Sequence, residues 1–525
     1  MTDSIFRRLP VGIQSFKVIR EENYLYVDKS DIVWNMVNLG DKYNYLSRPR
    51  RFGKSVLVDT LESYLEGRKD LFEGLKIMQL EKDWKQYPVI RLDMSRGGAN
   101  EDTLRSYLNL RFKDYEEKYN ITPDPTAMLA DRFHAIIATA YKQTGLRVAV
   151  LIDEYDSPLQ HSWRTPEHEK CTGVYREVFA ILKADDEYEQ FIFITGITKF
   201  TQISLFSVLN NLSNISFMPE YATICGITEE EIKENFMPEI KQMSEANNWS
   251  VQETHDRLKA YYDGYHFSRR NMVDVYNPYS LVNALKSKEI INFWASSGAT
   301  SLLPKFIDNA ELRLSKFENC SVMRNTLELS DVSGGGAELF LYQSGYLTIK
   351  DSDEFGYILG FPNEEVKQAL YETVLPALAM RSESEILSLQ ACLYRYLGTG
   401  QIDEAMKSLK ALIADVPYSN KKLASMDMEE RYRLIISTIL NAIGLNVEVE
   451  KMISTGRIDM TVKTSRYIYV IELKLRNNGG KEAATEQILN RQYMEPFKAD
   501  KRKVIGLGIE LDEDGKGLLG WKRAE

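Results

Sequence analysis

Two rhythms of apolar and polar positions run along this chain. Across residues 1–230, short apolar runs bounded by turn residues alternate with stretches in which apolar residues recur every three or four positions. Together these predict an α/β layered domain built on a parallel sheet. KYNYLS (42–47) reads as a strand and SVLVDTLESYLEG (55–67) as the helix that leaves it. YPVIRLDMS (87–95), RVAVLIDEYD (147–156) and EQFIFITGIT (189–198) supply three more buried strands. Residues 231–420 read as mainly helical. Within them, LFLYQSGYLTIKDSDEFGYILGFPNEEVKQALYETV (339–374) runs helix end, strand, turn, strand, helix. That order suits a small winged-helix-like unit and suits equally a hairpin packed between helices. SGGGA (333–337) punctuates the chain before it. Residues 421–525 form another α/β unit, so the pattern predicts three domains with boundaries near 230 and 420.

Composition narrows the class. A length of 525 residues exceeds one ordinary core. Hydrophobic residues at 44% and charged residues at 27% are those of a soluble globular protein. No run approaches the roughly eighteen apolar residues of a membrane span, and MTDSIFRRLP has no apolar signal core. The four cysteines (Cys171, Cys225, Cys320, Cys392) lack metal-type spacing and read as thiols in a reducing compartment; the five histidines form no ligand cluster. A cytoplasmic location is the expectation. Net charge is −10, which argues against a protein coated in nucleic acid, but it is uneven: residues 421–525 carry 19 Lys and Arg against 16 Asp and Glu, leaving −13 on residues 1–420. A weakly basic end behind an acidic body is compatible with a polyanion at that end, and equally with a solvated mixed-charge surface.

RPRRFGKS (48–55) is the first stretch with chemistry. Against the phosphate-gripping pattern G-x-x-x-x-G-K-[ST] it fits at Gly53, Lys54 and Ser55, with Arg48 where the first glycine belongs. The strand before and the helix after supply the right context. Backbone N–H groups and the positive helix end would hold phosphates, Lys54 would reach the β/γ-phosphates, and the Ser55 hydroxyl would sit on Mg²⁺. Arg48, Arg50 and Arg51 can contact phosphate or face acidic neighbours, and Phe52 completes the loop. Further on, VAVLIDEYD runs into Asp153 and Glu154. A buried strand ending in two carboxylates needs a compensating charge. Asp153 would hold Mg²⁺ through water, and Glu154 would orient the attacking water. FIFITGIT ends in Thr195, with Thr198 after it, where a polar group can sense the γ-phosphate.

A second carboxylate pair lies in GRIDMTVKTSRYIYVIELKL (456–475), which reads as two strands about a tight turn near Ser465 and Arg466. Antiparallel partners then have numbers summing to 931, which puts Asp459 opposite Glu472, with Lys474 on the same face as Glu472. Ile468 and Val470 precede these charges on one face, while Tyr467, Tyr469, Ile471 and Leu473 occupy the other. Such a strand is central, with a polar site at its rim. The carboxylates can hold a divalent ion and the lysine can stabilise phosphoryl charge; an exposed hairpin with a cross-strand salt bridge is the alternative. On flanking helices, Glu429 is a further candidate ligand, and Gln487 and Tyr493 can steady substrate or lysine.

LPVGIQSFKVIREENYLYVDKS, SRPRRFGKS, LIDEYDSPL, TGITKFTQISLFSVLNNLSNIS and YYDGYHF…YNPYSLVNAL together resemble the bacterial AAA-ATPase-like P-loop family, in which RPRRFGKS is the regular phosphate loop. GRIDM…IELK…EQI…Y resembles the PD-(D/E)XK nuclease superfamily domain usually fused to it. The resemblance covers nearly the whole chain. It implies a P-loop ATPase domain, a mainly helical middle and a C-terminal PD-(D/E)XK-like α/β domain. It also implies the roles given to Lys54, Ser55, Asp153, Glu154, Asp459, Glu472 and Lys474, with Glu429 and Gln487 matching less closely. The expected cofactors are ATP and Mg²⁺, with Mn²⁺ an alternative at the second site. The expected partners are nucleic acid at the C-terminal domain and further copies of the chain, with no membrane. An ATP-hydrolysing protein that governs a DNA nuclease is the first reading, with defence or mobile-element biology suspected for the family. A nucleotide-switched scaffold that holds nucleic acid or a partner without cutting is the alternative.

Overall fold

The computed structural model describes residues 8–124, 126–199, 211–294, 317–329, 336–379, 383–414 and 427–524. Most of MTDSIFRRLP, residues 200–210 of the TGITKF segment, three residues of SGGGA and residues 421–426 lie outside the described residues. The chain forms two compact units. One comprises Met1–Ser297 with Asn319–Asn363, the other Gly298–Glu318 with Glu364–Glu525.

The first unit is built on five parallel strands: β1 (Tyr43–Ser47), β2 (Val89–Asp93), β3 (Val148–Asp153), β4 (Glu189–Gly196) and the two-residue β5 (Ser213–Asn214), in the order β2-β3-β4-β1-β5. β3 reads VAVLID and is buried at every position, as a parallel strand covered on both faces must be. Each wholly buried Val or Ile there contributes about 1.5–3 kcal/mol. The helix after β1, α1 (Lys54–Leu65), begins directly behind Gly53, whose φ of +85° is a conformation side chains disfavour. α2 (Glu101–Lys118) opens with a capping box between Asn100 and Thr103; α3 (Leu129–Thr144) ends at Gly145 in the left-handed conformation; α4 (Glu167–Phe179) follows β3. Because β4 lies between β1 and β3, the phosphate loop and the carboxylates of β3 flank its C-terminal end.

A second core of this unit gathers Ile227, Phe236, Ile240, Met243, Leu258, Tyr262 and Leu281 beside the short pair β6 (Ile227–Thr228) and β7 (Val275–Tyr276). The helix–strand–turn–strand–helix order is present as Gly336–Ser344, β9 (Thr348–Ser352), β10 (Gly356–Gly360) and Glu364–Ala379. A strand the pattern did not predict, β8 (Cys320–Met323), pairs with β10 to complete a three-stranded sheet.

In the second unit five strands take the order β11-β12-β13-β14-β15: Asn446–Ile453, Gly456–Lys463, Tyr467–Leu475, Lys503–Leu511 and Leu518–Ala524. β13 pairs antiparallel with β12 and parallel with β14, the crossover being carried by α6 (Gly480–Asn490). α5 (Met428–Ala442) packs on β11 and β13. Ile458, Ile468, Val470, Ile488 and Tyr493 form the core between sheet and helix. Among the described residues, no helix is long and apolar enough to cross a membrane. The four cysteines are free thiols, with Cys171 and Cys225 buried.

Candidate functional site

At the C-terminal edge of the parallel sheet, a cavity of about 600 Å³ opens against the phosphate loop, within the usual range for small-molecule sites. Arg50, Arg51, Phe52, Gly53, Lys54 and Ser55 line it, with Glu154, Gln160 and His161; Val11, Ile13, Leu25, Val27, Phe236 and Val282 give it an apolar wall. Lys54 is buried, and its Nζ donates to the carbonyls of Arg48 at 3.0 Å and Pro49 at 2.9 Å. Burial pushes its ammonium below the usual lysine range, against the pull of Glu154 and Asp153. Ser55 donates its hydroxyl to Asp153, whose carboxyl burial holds above its usual range. Asp153 also accepts from the Glu154 N–H at 2.9 Å. Glu154 has φ +47°, an uncommon conformation for a side-chain-bearing residue, and burial raises its carboxyl too.

Thr195 is placed otherwise. Its buried hydroxyl donates to the Leu46 carbonyl at 2.8 Å, tying β4 to β1, and it does not line the cavity. Thr198 belongs to a buried network in which Asp156 accepts from the N–H groups of Ile197 (3.1 Å) and Thr198 (2.6 Å). Gln160 there donates to Asp156 and to the Thr198 hydroxyl.

The loop is held from behind by residues that local pattern does not reveal. Arg48 is buried and donates to the carbonyls of Ser47 (2.8 Å), Ser216 (2.9 Å) and Tyr221 (2.8 Å), with its guanidinium 4.1 Å from the Phe267 ring centre. Phe52 meets Tyr265 and Phe267 edge-on at 4.7 and 5.4 Å. Pro49 lies against Gly345 (φ +90°), where an added Cβ would come within 2.5 Å of it. Arg51 stacks over Tyr279 at 4.7 Å. The aromatic spacing in YYDGYHF was the available signal for Tyr265 and Phe267.

The second constellation lies where β12 and β13 meet. Their register pairs Met460 with Ile471 and Thr461 with Val470, numbers that sum to 931. Asp459 and Glu472 sit one step beyond. The Asp459 N–H approaches Glu472 Oε2 at 3.5 Å, and Asp459 Oδ2 accepts from the Leu473 N–H at 2.9 Å. Both carboxylates are buried. Burial, then the neighbouring Asp459, pushes Glu472 up to about 8, while Lys474 pulls it down. Lys474 Nζ lies 3.9 Å from Glu472 and 4.0 Å from Glu429, which α5 contributes from its first turn. Gln487 on α6 donates to Glu472 and stands 3.3 Å from the Tyr493 hydroxyl, so it steadies the glutamate and not the lysine.

The donor set suits a hard cation. Among the described residues, no three His, Cys, Asp or Glu side chains converge as a complete protein ligand set. An ion held by two carboxylates and completed by water and phosphate oxygen is the usual arrangement for Mg²⁺.

Residues 10–206 match the family model described as predicted AAA-ATPase, and residues 427–519 match that of the PD-(D/E)XK nuclease superfamily. The chain is also similar throughout to a protein of Azotobacter chroococcum mcd 1 described as an uncharacterized protein in vnfD 5'region. The two are 31% identical over 534 residues, covering 98% of each.

Proposed function

Because the chain belongs to the predicted AAA-ATPase family and carries a C-terminal PD-(D/E)XK nuclease superfamily domain, we propose that it binds and hydrolyses ATP and thereby controls Mg²⁺-dependent cleavage of nucleic acid. The observation that carries this reading is a cavity lined by Lys54, Ser55 and Glu154 together with apolar side chains, with Asp153 behind it hydrogen-bonded to Ser55. Phosphate would take the two hydrogen bonds that Lys54 now gives to Arg48 and Pro49, and the apolar wall would take the base. Ser55 and Asp153 would hold the magnesium, whose charge screens the phosphates. Glu154, fixed by its backbone at the cavity edge, would orient water. Replacement of Lys54 by alanine should weaken nucleotide binding by about two orders of magnitude, measured by titration calorimetry. Unchanged affinity would remove the site.

In the second unit Asp459 and Glu472 would hold the divalent ion, which supplies Lewis acidity at the phosphoryl group. Gln487 keeps Glu472 in place, and Lys474, poised between Glu472 and Glu429, would stabilise charge on the phosphate. Purified protein should cleave DNA in Mg²⁺ or Mn²⁺, and Asp459→Ala and Lys474→Ala should each abolish cleavage. Cutting that survives both changes would assign it elsewhere. The net charge of −10 favours the alternative, a nucleotide-switched scaffold; salt-dependent binding without cleavage in either metal would decide for it.

A further inference from the structure

Beside the candidate cleavage centre lies a group of side chains with no part in the roles above. The β11–β12 register pairs Val449 with Met460 and Lys451 with Ile458, so Glu450 faces Asp459. Glu450, Asp459 and Glu472 therefore stand abreast on three adjacent strands. Glu450 has φ +53°, a conformation costly for a glutamate inside a strand. Its carboxylate is bound by two arginines: Arg433 Nη1 donates to it, and Arg457 Nη1 lies 3.0 Å away.

Arg433 reaches it from α5, one turn beyond Glu429 and on the same face. The residue is more than nine-tenths buried, its Nε lies 3.8 Å from Asp459 Oδ1, and that Nε has no hydrogen-bond partner. An unsatisfied buried guanidinium N–H is expensive. Here the nearby Asp459 Oδ1 stands beyond hydrogen-bond reach, so the protein's own acids hold this guanidinium incompletely. Arg457 is half exposed, so one arginine is fixed and the other reachable from solvent. Two guanidinium groups converging on one carboxylate oxygen, Glu450 Oε1, also make a suitable receptor for an anionic phosphodiester oxygen.

We infer that Arg433 and Arg457 form a phosphodiester-binding subsite next to the cleavage centre, and that Glu450 fills it as an internal anion until a nucleic-acid backbone displaces the carboxylate. The inference rests on the reading of the second unit as a nucleic-acid-cleaving domain and adds to it a contact for a phosphate neighbouring the scissile one. Glu450 would then be a brake. It lowers affinity for every polyanion, so only a backbone long enough to engage other contacts dislodges it.

The test is binding of the full-length protein to fluorescein-labelled random-sequence DNA and RNA duplexes, followed by anisotropy without divalent metal across a salt series. Glu450→Gln should tighten binding about fivefold, the scale of one half-exposed ion pair. Arg433→Gln and Arg457→Gln should each weaken it and lower the salt slope by about one. In the double arginine variant, Glu450→Gln should have no effect. The two duplexes tell which backbone is preferred. Where Arg433→Gln fails to fold, the exposed Arg457 still gives the answer. Unchanged or weaker binding by Glu450→Gln, or an unchanged salt slope in Arg457→Gln, overturns the inference while leaving cleavage to be judged on Asp459 and Lys474. Absence of binding by wild type and Glu450→Gln alike overturns both.

Discussion

Arg48 donates three hydrogen bonds to backbone carbonyls from a buried position, and two of those carbonyls lie far along the chain at Ser216 and Tyr221. Its truncation strands three acceptors at once. Arg48→Ala should therefore cost about 3 kcal/mol or more of stability, read from denaturant unfolding. Arg48→Lys should rescue little of it, because an ammonium lacks the planar fork that reaches diverging acceptors. Glu154 makes the contrasting case. Its left-handed backbone and raised carboxyl put it at the cavity without a structural partner to lose. Glu154→Gln should bind ATP as wild type does yet hydrolyse it at least about a hundredfold more slowly, measured by single-turnover phosphate release. Glu154 stands out as a candidate in the sequence because its signal is local: an apolar run ending in acids. Arg48 reads there as a contact for phosphate or acidic neighbours, yet it works through carbonyls about 170 residues away, a relation that no spacing rule encodes.

At the level of strands and helices, the N-terminal ends of β1 and β4 offer a pH handle away from both sites. Glu189 is buried at the start of β4, accepts from the Tyr43 hydroxyl at 2.7 Å, and is pushed by burial up to about 8. An unfolded glutamate ionises near 4.3, so over the interval between these values the native state holds a proton that the unfolded chain releases. Stability contributed here is full below that interval and declines as pH rises through it. Glu189→Gln should flatten the decline, as followed by thermal unfolding at a series of pH values. Four of the five parallel strands were plain from the chain, because strands covered on both faces are mostly apolar; the two-residue β5, polar and half-buried, was not. So was the β12–β13 register, because a tight turn fixes it. The β11–β12 register was equally available from the turn at Ser454 and Thr455 that leads to Gly456, and it would have brought Glu450 to notice. β8 was not legible: only Val322 of its four residues is buried, so it carries no strand-like alternation. The cavity's apolar wall draws on residues 10–33 and 224–283, and long-range assembly of that kind leaves no periodic trace.

Taken whole, the chain joins an AAA-ATPase-like domain to a PD-(D/E)XK nuclease superfamily domain, and the proposed link between them is open to a direct measurement. DNA cleavage by the second unit should change at least severalfold between nucleotide-free and ATP-loaded protein, and Lys54→Ala should show one rate in both conditions. Equal wild-type rates would separate the two activities. The first unit also closes late in the sequence, since Asn319–Asn363 belongs with it. On the ribosome the first unit is therefore incomplete until residue 363 has emerged. The proposed cleavage would thus become available only after the unit proposed to bind ATP has been made, so that premature termination would leave no cutting domain without its proposed regulator.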